Sequence, residues 1–203
     1  MDNGIKRKTN LILVGMMGSG KTTVGRLVAD RLGWDLIDTD QLIVDRTGAS
    51  IPALFQEKGE AFFRRLEKEV LLELKARKRM VVATGGGTVL DGENRRLLQE
   101  TGLVIYLKTA PTVLAARVGH GEGRPLLMGR DPVQVLTALL EERETFYRQA
   151  DLVVVTDGRT PSQVAEEIII RAAGRGIGRT GRPERSEGEK DGSGTAVIDQ
   201  SRG

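Results

Sequence analysis

The 203-residue sequence predicts an α/β domain whose parallel sheet of about five strands carries helices on both faces. Short apolar runs alternate with helical patterns from residue 11 to residue 173, as is typical of right-handed strand–helix–strand connections. A glycine-rich loop follows the first apolar run directly, which is where a strand ends at a phosphate-binding loop. We therefore expect a single domain over residues 1–173, with its ligands at the carboxyl ends of the strands.

The glycine-rich loop reads Gly15-Met-Met-Gly-Ser-Gly-Lys21-Thr22 and has the P-loop NTPase pattern. In this pattern Lys21 reaches the β and γ phosphates of ATP, and the Thr22 hydroxyl contacts Mg²⁺. A plain turn is the alternative, but the apolar strand before the loop and the helical pattern after it favour phosphate binding. The predicted ATP-binding residues of this segment are Gly18, Ser19, Gly20, Lys21, Thr22 and Thr23.

The other elements follow from hydrophobic spacing and from residues that begin or end helices. The first helix should end near Gly33, because glycine readily adopts the left-handed conformation of a helix C-terminus. Ser50 and Pro52 indicate the start of a helix that Gly59 interrupts. The predicted strands are 11–14, 34–37, 80–84, 103–107 and 152–156, and the later helices are 41–47, 60–77, 91–100, 111–118, 132–149 and 161–173.

Two polar or glycine-rich segments follow predicted strands and should lie at the ligand-binding edge of the sheet. Asp38-Thr39-Asp40 follows the second strand, and carboxylates one residue apart in an extended chain face opposite sides. One can then face Mg²⁺ and the other an acceptor, although Asp40 is also well placed to cap the next helix. The run from Gly85 to Gly87 follows the third strand, where it is either a flexible turn or a loop whose backbone N–H groups approach a ligand.

Two glycine-rich segments stand apart from the predicted core. Residues 119–131 are irregular in pattern, and we expect them to form a lid that closes over ATP and excludes water. Arg124 in this lid could stabilise charge on the transferring phosphoryl group, whereas His120 is expected to be solvated. Residues 174–203 are rich in Gly, Arg, Glu and Ser, and we predict that they form a disordered tail.

Composition excludes several classes of protein. The net charge of +3 is nearly balanced, and aromatic residues make up only 3% of the chain, which argues against a protein that stacks nucleic-acid bases. The lack of cysteine and the single histidine exclude disulfides and thiolate or histidine zinc clusters. No apolar run approaches the ~18 residues of a membrane span, and the N-terminus lacks a signal-peptide core. We expect a cytoplasmic monomer that binds neither nucleic acid nor membrane.

Six segments occur together in one order and spacing. They are the P-loop, Asp38-Thr-Asp40, Phe63-Arg64 within GEAFFRRLE, ATGGG at 83–87, Arg124-Pro-Leu-Leu, and Glu142-Arg143 before Tyr147. This joint pattern resembles that of shikimate kinases over about residues 8–173. The resemblance implies a nucleoside monophosphate kinase-like fold and ATP-dependent phosphorylation of the 3-hydroxyl of shikimate, which yields shikimate 3-phosphate and ADP on the chorismate pathway to aromatic amino acids.

The resemblance also implies roles for individual residues. Asp40 would hold the hydroxyls of shikimate and act as the base, while Asp38 would support Mg²⁺ through water. Arg64 and Arg143 would pair with the shikimate carboxylate, and motif register favours Arg64 over its neighbour Arg65. The remaining implied contacts are Gly85, Gly86 and Gly87 with shikimate, Arg124 with both nucleotide phosphates and substrate, and Arg117, Arg159 and Pro161 with adenine.

Two alternatives remain open at the level of sequence. A gluconate kinase or a nucleoside monophosphate kinase would have the same architecture, and gluconate is also a hydroxylated carboxylate. The combination of Asp38-Thr-Asp40, the three glycines and Arg143 favours shikimate over these acceptors. A nucleotide-dependent RNA-binding or regulatory module would instead use the basic pI of 9.3 and the arginine-rich tail.

Overall fold

A computed structural model describes residues 8–119, 127 and 129–178, and within them the chain forms one five-stranded sheet. All strand pairs are parallel, and the spatial order is β2-β3-β1-β4-β5. The predicted α/β class and number of strands are therefore confirmed. The strands are β1 (Leu11–Val14), β2 (Asp35–Asp38), β3 (Met80–Ala83), β4 (Leu103–Lys108) and β5 (Leu152–Val155).

Helices cover both faces of this sheet, as the alternating pattern predicts. Side chains of β1 point alternately to its two faces, so Ile12 and Val14 enter one core while Leu11 and Leu13 enter the other. α1 and α8 pack on the Leu11 side, and α2 to α7 contribute to the opposite core. The helices are α1 (Lys21–Leu32), α2 (Thr39–Thr47), α3 (Ile51–Lys58), α4 (Glu60–Leu74), α5 (Gly92–Thr101), α6 (Pro111–Val118), α7 (Pro132–Tyr147) and α8 (Pro161–Ala173).

Several predicted element boundaries differ from the structure by one to three residues, and at the start of β2 and the end of α4 hydrogen bonds to other groups explain the difference. The N–H of Trp34 donates to Ala29 O at 2.9 Å and closes the end of α1, so β2 begins one residue later than predicted. The helix predicted to end at residue 77 ends at Leu74. The buried Asn10 side chain donates to Arg77 O at 2.9 Å and holds the chain there in a different path.

The predicted start of the disordered tail is also wrong for residues 174–178. Ile177 is 4% exposed within the core beside α1 and α8, and its N–H donates to Ala172 O at 3.0 Å. A single apolar side chain therefore anchors a segment whose glycine-rich composition predicts disorder. Residues 179–203 lie outside the described residues.

The free edge of β5 is covered by arginine side chains. The backbone carbonyl groups of successive residues in a strand point to opposite sides, and those of Val153 and Val155 point away from β4. Arg171 donates to Val153 O at 2.7 Å and Arg159 donates to Val155 O at 3.1 Å. Glu167 lies between the two guanidinium groups and pairs with both.

Every helix in the described part of the chain is too short or too polar to cross a lipid bilayer. The parallel strands bring the loops after β1, β2 and β3 to one edge of the sheet. Those loops contain the P-loop, Asp38 and the glycine run that sequence analysis predicts to bind ligands. The candidate site therefore lies at the carboxyl ends of the parallel strands, as predicted.

Candidate active site

The loop between β1 and α1 has a backbone that only glycine fits easily. Gly15 and Gly20 have φ values of 145° and 91°, and a Cβ on Gly15 would lie 2.8 Å from the carbonyl oxygen of Leu107. The Lys21 ammonium donates to Gly15 O at 2.8 Å and to Met16 O at 2.9 Å, and so lies across the loop. The structure thus brings together the predicted cradle and its lysine.

The start of α1 has no side-chain cap, and the Ser19 hydroxyl just before it has no partner in the described part of the chain. Gly20 caps the helix without a side-chain hydrogen bond, and Val24 makes the first bond back into the helix, to Gly20 O at 2.8 Å. The Ser19 hydroxyl is buried and has no partner among the described residues. Such a helix start attracts anions through its N–H groups and its dipole, as the predicted binding of ATP phosphates requires.

Asp38 and Thr22 form an oxygen pair beside this cradle. Thr22 Oγ1 donates to Asp38 Oδ2 at 2.6 Å, while Asp38 Oδ1 accepts from the N–H groups of Asp40 at 3.1 Å and Gln41 at 3.3 Å. Asp38, not Asp40, is therefore the N-cap of α2. The extended-chain argument for Asp38 and Asp40 is wrong, because Asp40 lies in the first turn of the helix.

Asp40 is a largely buried carboxylate with an unusual pKa. Its pKa is raised to about 6: burial is the largest cause, the negative charges of Glu67 and Asp38 act in the same direction, and the charges of Lys21 and Arg64 oppose them. Its Oδ1 is buried and has no hydrogen-bond partner among the described residues. Burial of an unpaired carboxylate oxygen costs stability, so such a group at a ligand-binding edge indicates a functional role.

Glu67 is a site residue that sequence analysis missed. Its side chain is 2% exposed; Oε1 accepts from Thr88 Oγ1 at 2.7 Å and Oε2 from Arg64 at 2.5 Å. A Cβ on Gly85 would lie 2.7 Å from Asp40 Oδ1 and 3.1 Å from Glu67 Oε1, so both carboxylates converge on that glycine. The available signal was its position three residues after Arg64, on the same helical face.

The two neighbouring arginines of α4 have different surroundings. Arg64 contacts Glu60 and Glu67 and lies against the glycine run, since a Cβ on Gly87 would be 2.6 Å from its Nη2. Arg65 is exposed, and its guanidinium lies 5.6 Å from the centre of the Phe62 ring. The structure therefore brings Arg64 to the site and leaves Arg65 outside it, as motif register predicts.

Arg143 reaches the same region from α7. It is 8% exposed, and its Nε has no hydrogen-bond partner among the described residues. One turn later Tyr147 is fully buried and donates to Gly86 O at 2.5 Å. Of the predicted acceptor residues, Asp40 and Arg64 thus lie against the glycine loop, and Arg143 lies one helical turn from the tyrosine that binds this loop.

An open cleft of about 490 Å³ extends from the P-loop toward the start of α8. Thr22 and Thr23 line it on one side and Pro161 on the other. Arg117 is exposed and donates to Gly18 O at 3.3 Å, which places it against the P-loop. The predicted adenine side of the site therefore has space for a nucleotide base.

Three predicted residues remain: one binds protein groups away from the cleft, and two lie outside the described residues. Arg159 lies just before Pro161, but its guanidinium is directed toward Val155 O and Glu167 at the edge of β5. Arg124 and His120 lie outside the described residues. The lid prediction, including the role of Arg124, stays a prediction.

Comparison with known proteins identifies the family that shares this geometry. Residues 17–173 match the family model for shikimate kinase. The chain belongs to the shikimate kinase family. A shikimate kinase of Moorella thermoacetica is 45% identical over 159 residues, covering 78% of this chain and 91% of that protein. A shikimate kinase of Hahella chejuensis is 43% identical over 166 residues, covering 81% of this chain and 86% of that protein.

Solved structures agree with the family assignment. The shikimate kinase of Acinetobacter baumannii, solved in complex with shikimate, is 40% identical with a TM-score of 0.79, and the match covers 82% of this chain and 94% of that one. A gluconokinase from Sinorhizobium meliloti 1021 is 19% identical with a TM-score of 0.53, and so shares the fold alone. The predicted nucleoside monophosphate kinase-like fold is confirmed, and the chain is a kinase of the shikimate kinase family.

Proposed function

We propose that the protein transfers the γ-phosphoryl group of ATP to the 3-hydroxyl of shikimate. The observation that carries this proposal is the placement of Asp40 and Arg64 against one glycine loop beside a phosphate-binding helix start, with the buried Arg143 one helical turn from the tyrosine that binds this loop. A hydroxylated ring with a carboxylate needs guanidinium groups at one end and a proton acceptor at the other. The relative crystallised with shikimate supports the same acceptor.

The acceptor carboxylate would bind between Arg64 and Arg143. Arg143 is almost fully buried and retains an unpaired Nε donor, so an anion there would satisfy it. Arg64 is held by Glu67, which fixes the direction of its guanidinium. We infer that Gly85, Gly86 and Gly87 line this pocket because side chains at Gly85 and Gly87 would collide with the charged groups.

Asp40 would take the proton from the attacking hydroxyl. With a pKa of about 6 it is ionised at neutral pH, yet it is a stronger base than an ordinary aspartate. Its unpaired Oδ1 can accept a hydrogen bond from an acceptor hydroxyl. Lys21 would lie along the phosphates after it releases the carbonyls of Gly15 and Met16.

The residues beside the P-loop fit a magnesium ion brought in with ATP. Thr22 Oγ1 and Asp38 Oδ2 are hard oxygen donors 2.6 Å apart, and Mg²⁺ in kinases commonly takes one or two protein oxygens plus substrate phosphates. Thr22 would hold the ion directly and Asp38 through water. When bound, the ion neutralises charge on the phosphates during transfer.

The nucleotide would extend from the P-loop residues Gly18 to Thr23 into the cleft beside Pro161. Arg117 would contact adenine, and Arg124 would contact the phosphates from a lid at residues 119–131. The guanidinium of Arg159 is held by Val155 O and Glu167, and would have to leave them to contact adenine as well. We propose that the kinase domain extends to residue 178, and that residues 179–203 are dispensable for transfer. A cytoplasmic, monomeric state stays a prediction.

The test is ADP release from ATP and Mg²⁺, with shikimate, quinate, gluconate and a nucleoside monophosphate offered separately. Turnover with shikimate alone, abolished by EDTA and restored by Mg²⁺, is the expected result. Turnover with another acceptor, or none that depends on an acceptor, would overturn the proposal. A chain ending at Gly178 should keep full turnover, whereas a chain ending at Ala173 loses the Ile177 anchor and should be less stable.

A further inference from the structure

The hydroxyl of Tyr147 contacts two loops of the site and lies on the same helix as Arg143. It donates to Gly86 O at 2.5 Å and lies 3.5 Å from the sulfur of Met16 in the P-loop. Arg143 lies one helical turn before it on α7. Burial raises the pKa of this tyrosine, while the charge of Arg143 and a hydrogen bond from its side chain oppose that rise. The hydroxyl therefore touches the glycine loop, the P-loop and the environment of Arg143.

The hydrogen bond to Gly86 O also sets the direction of the next N–H group. The peptide between Gly86 and Gly87 is trans, so its carbonyl and its N–H point in opposite directions. Since Tyr147 lies in the core and binds the carbonyl, the Gly87 N–H is directed away from the core. That N–H makes no hydrogen bond with the described residues and is available to a ligand.

The ring of Tyr147 is itself fixed by a second tyrosine. Tyr106 stacks on it with a centroid distance of 4.9 Å and an interplanar angle of 15°. The Tyr106 hydroxyl points elsewhere and donates to Glu144 at 2.6 Å. The two tyrosines thus share packing but differ in what their hydroxyl groups bind.

We propose that Tyr147 is a positioning residue for the acceptor, which holds the Gly86–Gly87 peptide and Arg143 in the orientation that binds shikimate. It contacts the glycine loop from the side of the protein core and does not touch the reacting atoms. Glycine supplies no side chain that could fix the loop, so the conformation must be held from outside it. The inference deepens the proposed function and rests on it.

The Tyr147→Phe variant tests this, with Tyr106→Phe as the matched control. Removing the buried hydroxyl leaves Gly86 O without its donor, and we expect KM for shikimate to rise about tenfold. The KM for ATP and kcat should stay within about twofold, because the P-loop loses only the 3.5 Å contact with the Met16 sulfur and keeps the hydrogen bonds of Lys21 to Gly15 O and Met16 O. Tyr106→Phe should leave all three within about twofold. Equal rises in both KM values, or an unchanged KM for shikimate, would overturn the proposal.

Amide hydrogen exchange provides a readout that does not depend on the identity of the acceptor. Exchange at Gly85 to Thr88 should accelerate in Tyr147→Phe and not in Tyr106→Phe. Wild-type protein that fails to turn over shikimate would overturn the proposed function, while this exchange difference would still decide the role of Tyr147. Unchanged exchange in both variants would refute the positioning role.

A second measurement needs no substitution at Tyr147. The chain contains 2 tyrosines, so protein labelled with 3-fluorotyrosine should give two ¹⁹F signals, assigned with Tyr106→Phe. Shikimate alone should shift the Tyr147 signal more than the Tyr106 signal. The reverse order, or no shift at saturating shikimate in an enzyme that turns it over, would contradict the proposal.

Discussion

The phosphate end and the acceptor end of the site are built from different materials. At the phosphate end, backbone N–H groups, glycine conformations and a helix dipole form the binding surface, and Lys21 is held by backbone carbonyls. At the acceptor end the binding groups are charged side chains from α2, α4 and α7, and they are largely buried. The geometry of the phosphate end is set by the backbone conformation, whereas that of the acceptor end depends on interactions among charged side chains.

This difference has a consequence for stability. A backbone cradle that is partly exposed at Met17, Gly18 and Gly20 costs less, because water can bind its N–H groups until ATP replaces it. A buried carboxylate costs more: the rise in the pKa of Asp40 from 3.8 to about 6 corresponds to about 3 kcal/mol above that pH. The acceptor end should therefore be the part of the molecule where substitutions separate stability from activity.

The largest effect should come from the phosphate end. Lys21→Ala removes the positive charge that stabilises the transferring group, and we expect kcat to fall about 10³-fold with KM for shikimate little changed. Steady-state kinetics at saturating shikimate measures this. Lys68→Ala, which removes only an exposed ion pair with Glu93, is the control and should keep nearly full kcat. A large rise in KM for shikimate in Lys21→Ala would mean that the two ends are not separable.

Asp40→Asn should lower kcat about 10²- to 10³-fold while it stabilises the fold. Because the folded pKa lies above the unfolded value, the carboxyl lowers stability above about pH 6, and this cost disappears as the pH falls below 4. The variant should therefore be more stable than wild type at pH 8, by about 2–3 kcal/mol at most. Urea unfolding at pH 8 and pH 4 checks this. Retained turnover would refute the assignment of Asp40 as the base.

Arg143→Ala should weaken acceptor binding more than turnover. We expect KM for shikimate to rise about 30-fold, since a buried hydrogen bond to a charged group contributes about 1.5–3 kcal/mol. The matched control is an acceptor in which a hydroxymethyl group replaces the carboxylate. That compound should bind wild type and variant similarly. If the substitution raises KM equally for both acceptors, Arg143 supports the fold and does not bind the carboxylate.

The smallest predicted difference compares Arg64 with its neighbour. Arg64→Ala should raise KM for shikimate about tenfold, because it removes one guanidinium from the pocket and leaves Glu67 without its ionic partner. Arg65→Ala should change KM by less than twofold, since that side chain is exposed over Phe62. Kinetics of the two variants measured side by side decide this. Equal effects would mean that the register of the motif was misassigned.

The sequence predicted the course of the P-loop more fully than it predicted the contacts at the acceptor end. Gly15 to Thr22 form a contiguous motif, and a local motif carries its own geometry. The contacts of Glu67 with Thr88, and of Tyr147 with Gly86, join residues far apart in the chain, so no local spacing encodes them. The cap of α2 was misplaced by two residues because Asp38 and Asp40 have equal intrinsic preference, and only tertiary structure distinguishes them.

The two arginines at the edge of β5 affect whether two copies of the protein can pair through their sheets. Open sheets join into dimers or fibrils when an incoming strand finds unoccupied carbonyl groups along an edge. Here the outward carbonyls of Val153 and Val155 are already bound by Arg171 and Arg159, and Glu167 holds both guanidinium groups in place. Side chains of α8 and of the loop just before it thus prevent another strand from pairing with that edge of the sheet.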